Sequence, residues 1–207
     1  MHISTLIVTY YPDLSILQKN IDSFSSSVDK IVIWDNTPQG TDFSTLTCRC
    51  ELEIISSKEN KGLSYAYNAG LAKAKSEGYT HFMTMDQDSS WNGFDQYIKG
   101  IIVKDEEAVY TPSINCNTNY ETVEIQWGIN SGCLTSINLL EEIGGYRKDF
   151  FIDGIDTELH FRAKKHGYKV YRIGQCWLTH QLAEPTEAKC LGRKRYVNNY
   201  SALRYYG

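Results

Sequence analysis

The chain has 207 residues, of which 42% are hydrophobic and 22% charged, and its formal net charge is −4. This composition is typical of a globular domain, so it excludes wholesale disorder, and the acidic balance gives no general attraction to nucleic acid. The sequence has neither a long apolar run nor a signal-peptide pattern at its start, so we expect a cytoplasmic protein without a membrane span.

The first half of the sequence alternates short β-type runs with helical patterns. Runs rich in β-branched residues predict strands over 3–10, 30–34, 51–55 and 81–85. Apolar residues at helical spacing predict helices over about 14–24 and 64–77. Strands that alternate with crossover helices predict an α/β fold, with a mainly parallel central sheet flanked by helices and with ligands at the carboxyl ends of the strands.

The second half is less regular. Its patterns predict strands over 108–114 and 122–127, and helices over 137–143 and 156–166. No Gly/Ser-rich or Pro-rich linker divides the sequence, so we predict one sheet-centred domain over 1–180, followed by a short appendage over 181–207. The six cysteines lack the spacing of a zinc site, and in a chain without a secretion signal we expect them to be free thiols.

Two carboxylates stand one residue apart in Asp86-Gln87-Asp88, where the fourth predicted strand runs into a polar loop. Side chains at positions i and i+2 of an extended chain point to the same side, so both can bind one divalent cation. Carboxylate oxygens suit Mg²⁺ or Mn²⁺, whose coordination is completed by substrate phosphates and water. Isolated pairs of this kind are more often solvated turns, but the position at a strand end favours a metal site.

A second acidic cluster lies around the start of the helix predicted from Asp156. Its early carboxylates, with Asp153 and Glu158 among them, can simply cap the helix and complement its dipole. Glu158 and Arg162 are four residues apart, which also predicts a structural ion pair. Asp156 is placed to act both as the cap and as a base aimed at a substrate.

A set of short segments, in a fixed order, resembles the family-2 inverting glycosyltransferases of the GT-A fold. Each segment alone is weak evidence, but the ordered set covers nearly the whole chain. The segments are Thr9-Tyr10-Tyr11-Pro12, Trp34-Asp35-Asn36, Asn60-Lys61-Gly62, Asn68-Ala69-Gly70, Met85-Asp86-Gln87-Asp88-Ser89, Ser131-Gly132, Ile143-Gly144-Gly145-Tyr146, 151–162, Gly167-Tyr168 and His180. The resemblance implies the GT-A (nucleotide-diphospho-sugar transferase) fold and an inverting transfer of a sugar from a nucleotide diphosphate.

The resemblance also implies roles for individual residues. Asp156 would be the general base, and Asp88, Asp86 and His180 would bind a divalent cation, Mg²⁺ or Mn²⁺. The nucleotide-sugar donor would be bound by Thr9, Tyr11, Asp35, Asn60, Gly62, Asn68 and Asp86. The candidates on the acceptor side are Trp127, Asp153, Glu158 and Arg162.

Within that family, the Asp-Gln-Asp-Ser form and the block over 151–158 resemble bacterial rhamnosyltransferases that use dTDP-L-rhamnose. This implies transfer of L-rhamnose, with UDP-sugars as alternative donors, to a hydroxyl of a cell-surface polysaccharide or of a lipid-linked saccharide. Family members usually continue beyond the segment that ends here at Gly207, so we expect the chain to be truncated at its C-terminus.

Two other functions stay open. A sugar-phosphate nucleotidyltransferase also uses an α/β sheet and magnesium, although it normally carries a Gly-rich basic loop where this chain has Tyr10-Tyr11-Pro12. A non-catalytic relative would bind a nucleotide sugar or a partner, but it would not need to keep Asp86, Asp88 and Asp156 together.

The appendage is basic and aromatic. Its charged residues from position 189 onward are all cations, namely Lys189, Arg193, Lys194, Arg195 and Arg204. Tyr196, Tyr200 and Leu203 are spaced to share one face of a helix. Such a segment predicts peripheral contact with an anionic membrane surface, at the inner membrane face. The alternative is a solvated helix that packs against a following region of the protein.

Overall fold

The computed structural model describes residues 1–115 and 121–180, together with the backbone of 185–190 and 193–198. The elements of the first half are β1 (Ile3–Thr9), α1 (Leu14–Asp22), β2 (Lys30–Asp35), β3 (Glu51–Ser56), α2 (Gly62–Ser76), β4 (His81–Asp86), β5 (Ser89–Asn92) and α3 (Phe94–Lys104). The elements of the second half are β6 (Ala108–Ile114), β7 (Val123–Glu124), β8 (Cys133–Ser136), α4 (Ile137–Glu142), α5 (Ile155–Lys165), β9 (Lys169–His180), β10 (Pro185–Cys190) and β11 (Arg193–Asn198).

Nine of the described strands form one sheet, in the order β3-β2-β1-β4-β8-β6-β9-β5, with β7 paired to β9. The strands β3, β2, β1 and β4 are parallel, as the alternation of strands and crossover helices predicted. Beyond β4 the sheet is mixed, because β8 runs antiparallel to both of its neighbours and β5 runs antiparallel to β9. The parallel half brings the carboxyl ends of β2, β1 and β4 to one edge, where the candidate site lies.

Side-chain alternation along the strands divides the core into two layers, one on each face of the sheet. All seven residues of β1 are buried; Leu6 and Val8 belong to one layer, and Ile7 to the other. The layer of Leu6 is completed by α2, α4 and α5, and the layer of Ile7 by α1 and α3. Covering both faces explains why these strands are almost continuously apolar in sequence.

The elements β1 to β4, α1 and α2 lie within two residues of their predicted bounds, whereas β5 was not predicted and the second half differs more. The strand predicted over 122–127 is wrong for most of its length, because only Val123–Glu124 pairs with β9 as a strand. Helix α3 was not predicted, although its buried residues Phe94, Tyr97 and Ile101 recur at helical spacing.

The cysteine prediction is confirmed where the structure describes the side chains. Cys48, Cys50, Cys133 and Cys176 are free thiols, whereas the side chains of Cys116 and Cys190 lie outside the described residues.

The domain boundary near residue 180 stays a prediction. The described backbone beyond it, β10 and β11, forms an antiparallel hairpin. Tyr196 therefore lies in a strand, so the predicted helical face is wrong there, while Tyr200 and Leu203 lie outside the described residues. None of the helices in the described residues combines the length and apolar character needed to span a bilayer.

Candidate active site

The ends of three parallel strands bring the first candidate residues together. In the sheet register, Thr9 of β1 pairs with Asp35 of β2, and Val8 pairs with Asp86 of β4. The sequence places polar residues at the last positions of these mostly apolar strands, so their side chains meet at one edge of the sheet. Ligands bind at this edge in open α/β sheets.

Asp35 shapes the loop that follows β2. One carboxylate oxygen accepts hydrogen bonds from the hydroxyl of Thr9 at 3.2 Å and from the backbone N–H of Thr37 at 3.0 Å, and the other accepts from the N–H of Thr41 at 2.8 Å. Thr9 and Asp35 are fully buried. Their polar groups thus hold the loop after β2 against the end of β1. Direct contact of either residue with a donor stays a prediction.

Tyr11 follows β1 in an unusual backbone conformation, with φ of 45°. Its backbone N–H donates to the hydroxyl of Thr37, and its own hydroxyl donates to Gln39; both distances are 3.0 Å. The ring is half exposed. This arrangement presents an aromatic surface beside the ends of β1 and β2, and contact of that surface with a nucleotide base stays a prediction.

Asn60 and Gly62 form the turn that starts α2. The side-chain carbonyl of Asn60 accepts from the N–H of Gly62 at 3.1 Å, and Gly62 has a φ of +78°. A Cβ atom at position 62 would meet the ring of Phe151 at 2.6 Å and its carbonyl oxygen at 2.7 Å. Only glycine allows the backbone of α2 and the segment that precedes α5 to approach this closely.

Asn68 joins the same two parts of the chain nearly two turns further along α2. Its amide nitrogen donates to the carbonyl of Tyr146 at 2.7 Å, and its amide oxygen accepts from the N–H of Tyr146 at 3.0 Å. The amide nitrogen also donates to the carbonyl of Ser64 at 2.8 Å. These bonds hold residue 146 against the helix, and the predicted contact of Asn68 with the donor stays a prediction.

Asp86, Asp88 and His180 converge as expected for a metal site. One possible ligand atom from each lies within 4.8 Å of the other two. Nδ1 of His180 is 3.6 Å from a carboxylate oxygen of Asp88 and 3.9 Å from one of Asp86. All three side chains are only partly exposed, and β9 brings His180 to this place because it pairs with Ser89 directly after Asp88.

Asp156 occupies the first turn of α5, which begins at Ile155. The expectation that Asp156 caps this helix is wrong: Gly154 is the cap residue, with a φ of +79°, and it makes the turn without a side-chain bond. A carboxylate oxygen of Asp156 accepts from the N–H of Thr157 at 2.8 Å. The first turn of a helix stabilises a carboxylate through its dipole.

The remaining candidates divide into a partly buried pair and two exposed residues. Glu158 and Arg162 form the predicted ion pair, with Nε and Nη2 of the arginine each 2.8 Å from the carboxylate. Arg162 also donates to the carbonyls of Ile143 and Gly145, so the pair joins α5 to the turn after α4. Asp153 and Trp127 are exposed. An acceptor-side role for any of these four residues stays a prediction.

Residues 5–157 match the protein family described as Glycosyl transferase family 2, which is well over half of the chain. This chain is a family-2 glycosyltransferase. The match decides against the sugar-phosphate nucleotidyltransferase that the residues alone had left open, and it confirms the resemblance seen in the ordered segments.

Several known proteins are similar to this glycosyltransferase. It is 24% identical to dTDP-rhamnosyl transferase RfbF of Shigella flexneri over 91% of this chain and 72% of that protein. Among solved structures it resembles GalNAc-T7 with UDP, GalNAc and Mn²⁺, with a TM-score of 0.70 and 14% identity over 87% of this chain and 44% of that one. It also resembles S. aureus TarS 1–349 in complex with UDP-GlcNAc, with a TM-score of 0.64 and 14% identity over 89% of this chain.

These likenesses establish the GT-A fold, with a large central sheet between helices. The chain spans 44% of the length of GalNAc-T7 and 60% of TarS 1–349, so it corresponds to part of each neighbour. At 14% identity the neighbours show the fold alone.

Two residues beside the candidate site were not identified in the sequence. Gln87 pairs with the backbone of Tyr10, accepting from its N–H at 2.8 Å and donating to its carbonyl at 3.3 Å, so the middle residue of the Asp-Gln-Asp turn holds the loop of Tyr11. Tyr67 is fully buried; burial and then the negative charges of Asp86 and Asp156 raise the pKa of its phenol well above the usual value. Tyr67 thus lies near both carboxylates, but in the sequence it is simply an apolar position of α2.

Proposed function

We propose that this family-2 glycosyltransferase moves L-rhamnose from dTDP-L-rhamnose to a saccharide hydroxyl, on a cell-surface polysaccharide or a lipid-linked precursor, with inversion. The observation that carries the proposal is the convergence of Asp86, Asp88 and His180 at the carboxyl edge of the sheet. The likeness to a dTDP-rhamnosyl transferase over most of the chain supports the choice of donor.

Two carboxylates and one imidazole are a donor set that fits Mn²⁺ or Mg²⁺. The partial exposure of the three side chains leaves room for the phosphates and waters that complete the coordination of such ions. When bound there, the cation would neutralise charge on the leaving nucleoside diphosphate. Asp86, Asp88 and His180 would hold it, and of the two ions Mn²⁺ suits an imidazole ligand better.

Asp156 would act as the general base. Its carboxylate would take the proton of the acceptor hydroxyl while that oxygen attacks the anomeric carbon from the face opposite the diphosphate. The new carbon–oxygen bond forms as the bond to the diphosphate breaks, so a single displacement inverts the anomeric centre. The reaction needs no covalent intermediate with the protein.

The donor nucleotide would lie over the ends of β1 and β2. The half-exposed ring of Tyr11 would stack on the thymine base, and the loop shaped by Asp35 would hold the ribose. The turn of Asn60 and Gly62 would close the pocket on the side of α2.

A thermal-shift panel tests donor and metal together. The purified chain is heated with dTDP-L-rhamnose, UDP-glucose or UDP-N-acetylglucosamine, each with MnCl₂ or with EDTA. We expect dTDP-L-rhamnose with Mn²⁺ to stabilise most, by about 2.7 kcal/mol at a ligand concentration one hundred times Kd, and EDTA to abolish the shift. Equal stabilisation by a UDP-sugar would contradict dTDP-L-rhamnose as the donor. Thermal shifts that persist in EDTA would contradict the metal dependence of donor binding.

The basic residues from Lys189 onward would bring the enzyme to anionic lipid that carries the acceptor, with each Lys or Arg near the surface contributing roughly 1 kcal/mol. Co-sedimentation with vesicles of increasing phosphatidylserine content tests this contact. We expect binding to rise with the anionic fraction and to fall when Arg193, Lys194 and Arg195 are all changed to Gln. Vesicle binding that changes neither with the phosphatidylserine content nor with the three substitutions would contradict the proposal.

A further inference from the structure

Two buried serine hydroxyls lie directly behind the candidate metal ligands. Ser131 and Ser89 are each 1% exposed. Oγ of Ser131 accepts a hydrogen bond from the backbone N–H of Asp86 at 3.1 Å and donates one to Oγ of Ser89 at 2.9 Å. The first bond fixes the backbone from which the Asp86 carboxylate projects.

The chain of hydrogen bonds continues to the third ligand. Oγ of Ser89 and Nδ1 of His180 are 2.8 Å apart, and the two residues are also directly opposite each other in the pairing of β5 with β9. When Nδ1 carries the ring hydrogen and donates it to Ser89, this bond fixes the plane of the imidazole and leaves the lone pair of Nε2 for a cation.

Ser131 itself is held in place from both sides. The hydroxyl of Thr84 donates to the carbonyl of Asn130 at 2.7 Å, and the N–H of Gly132 donates to the carbonyl of Thr84 at 2.7 Å. Gly132 has a φ of +74°, and a Cβ atom there would meet the ring of Trp91 at 2.7 Å. The segment 130–132 is therefore pinned to β4, just before Asp86, and Ser131 has little freedom to move.

We propose that Ser131 and Ser89 are positioning residues that hold Asp86 and His180 in the arrangement a divalent cation requires. The inference rests on the metal dependence proposed above. Side chains that bind metals are usually oriented by hydrogen bonds from a surrounding shell, and removing such a partner typically lowers metal affinity by about 10–100-fold. Here one continuous path, Asp86 N–H to Ser131 to Ser89 to His180, orients ligands from two different strands.

Electron paramagnetic resonance of free Mn²⁺ in the presence of dTDP measures this effect without requiring turnover. The chain is compared with Ser131→Ala, Ser89→Ala and a control, Ser25→Ala. Ser25 is also 1% exposed, but its hydroxyl has no hydrogen-bond partner in the described residues. We expect the Kd for Mn²⁺ to rise about tenfold or more in both site variants and to stay unchanged in the control.

Two further measurements separate positioning from a general loss of fold. With dTDP-L-rhamnose, the Mn²⁺ concentration for half-maximal rate should rise in both variants, while kcat at saturating Mn²⁺ stays within about twofold of the parent value. Because the two serines act in one chain, the double variant should bind Mn²⁺ about as weakly as the weaker single variant.

The outcomes separate this inference from the proposed function. A parent chain that does not bind Mn²⁺ with dTDP overturns both. A parent chain that binds Mn²⁺, with folded Ser131→Ala and Ser89→Ala variants that bind it equally well, overturns the positioning role alone. If Ser131→Ala does not fold, Ser89→Ala decides by itself.

Discussion

Nδ1 of His160 accepts a hydrogen bond of 3.0 Å from the backbone N–H of Gly128. This bond joins α5, one turn after Asp156, to the segment that presents Trp127. His160 is fully buried, and burial lowers its pKa to about 4. Because Nδ1 accepts, the neutral ring carries its hydrogen on Nε2, which faces the Sγ of Cys133 at 3.8 Å.

The first prediction concerns stability in mild acid. The pKa of His160 is near 6.5 in the unfolded chain and about 4 in the folded chain, so protonation favours the unfolded state. The stability that the neutral ring contributes is fully present above about pH 6.5 and decreases as the pH falls towards 4. The total loss of unfolding free energy at low pH is about 3 kcal/mol. Urea unfolding between pH 8 and 4 measures the loss.

His160→Asn is the matched variant for that experiment. Its side-chain carbonyl can still accept from Gly128, but it does not titrate. We expect a lower stability at pH 8, from lost packing, and a flatter pH dependence than in the parent chain. Parallel curves for the two proteins would show that His160 does not carry the effect.

The second prediction concerns the proposed base. Asp156→Asn should lower kcat by about 10²–10⁴-fold, because a general base acts in the transition state, and it should leave the Kd for dTDP-L-rhamnose within about twofold. Asp153→Asn, which changes an exposed carboxylate three residues earlier, serves as comparison and should retain most of the activity. Substantial turnover by Asp156→Asn, together with loss of activity in Asp153→Asn, would identify Asp153 as the general base instead.

The third prediction concerns the metal group. Asp88→Asn should weaken Mn²⁺ binding and, with it, the binding of dTDP, because one charged ligand of three is lost. Asp105→Asn is the control: Asp105 lies after α3, away from the carboxyl ends of β1, β2 and β4, with a φ of 44° that Asn tolerates. Calorimetric titration of both variants with dTDP and Mn²⁺ measures the difference, and unchanged binding in Asp88→Asn would exclude it as a ligand.

The fourth prediction uses two glycines with nearly the same backbone angle. Gly78→Ala, at φ of +82° with open space around it, should cost about 1 kcal/mol for the conformation alone. Gly62→Ala, at φ of +78°, should cost more and should also lower kcat, since its Cβ would push Phe151 and the segment leading to Asp156. Equal losses of stability, with full activity in both variants, would contradict the close packing at Gly62.

The parallel half of the sheet could be predicted from local sequence patterns, and the mixed half could not. Strands of β-branched residues end in polar residues at Asp35 and Asp86, and crossover connections force those ends to the same edge of a parallel sheet. The parallel half and its site were therefore predictable. The mixed half was not, because β8 and β9 gain their partners from distant parts of the chain, and four-residue strands such as β8 carry little periodic signal.

The sequence by itself determined which chemical groups are available, two carboxylates one residue apart and a third at the start of a helix. It also determined the crossover order that brings Asp35 and Asp86 to one edge of the sheet. Only the tertiary structure decided that the carboxylate of Asp35 accepts hydrogen bonds from the loop after β2, and that Gly154 rather than Asp156 caps α5. It also decided that Ser131 and Ser89 form hydrogen bonds with Asp86 and His180. The physical reason is that a hydrogen-bonding side chain has several possible partners at similar energy. The packing of residues far apart in sequence selects among them.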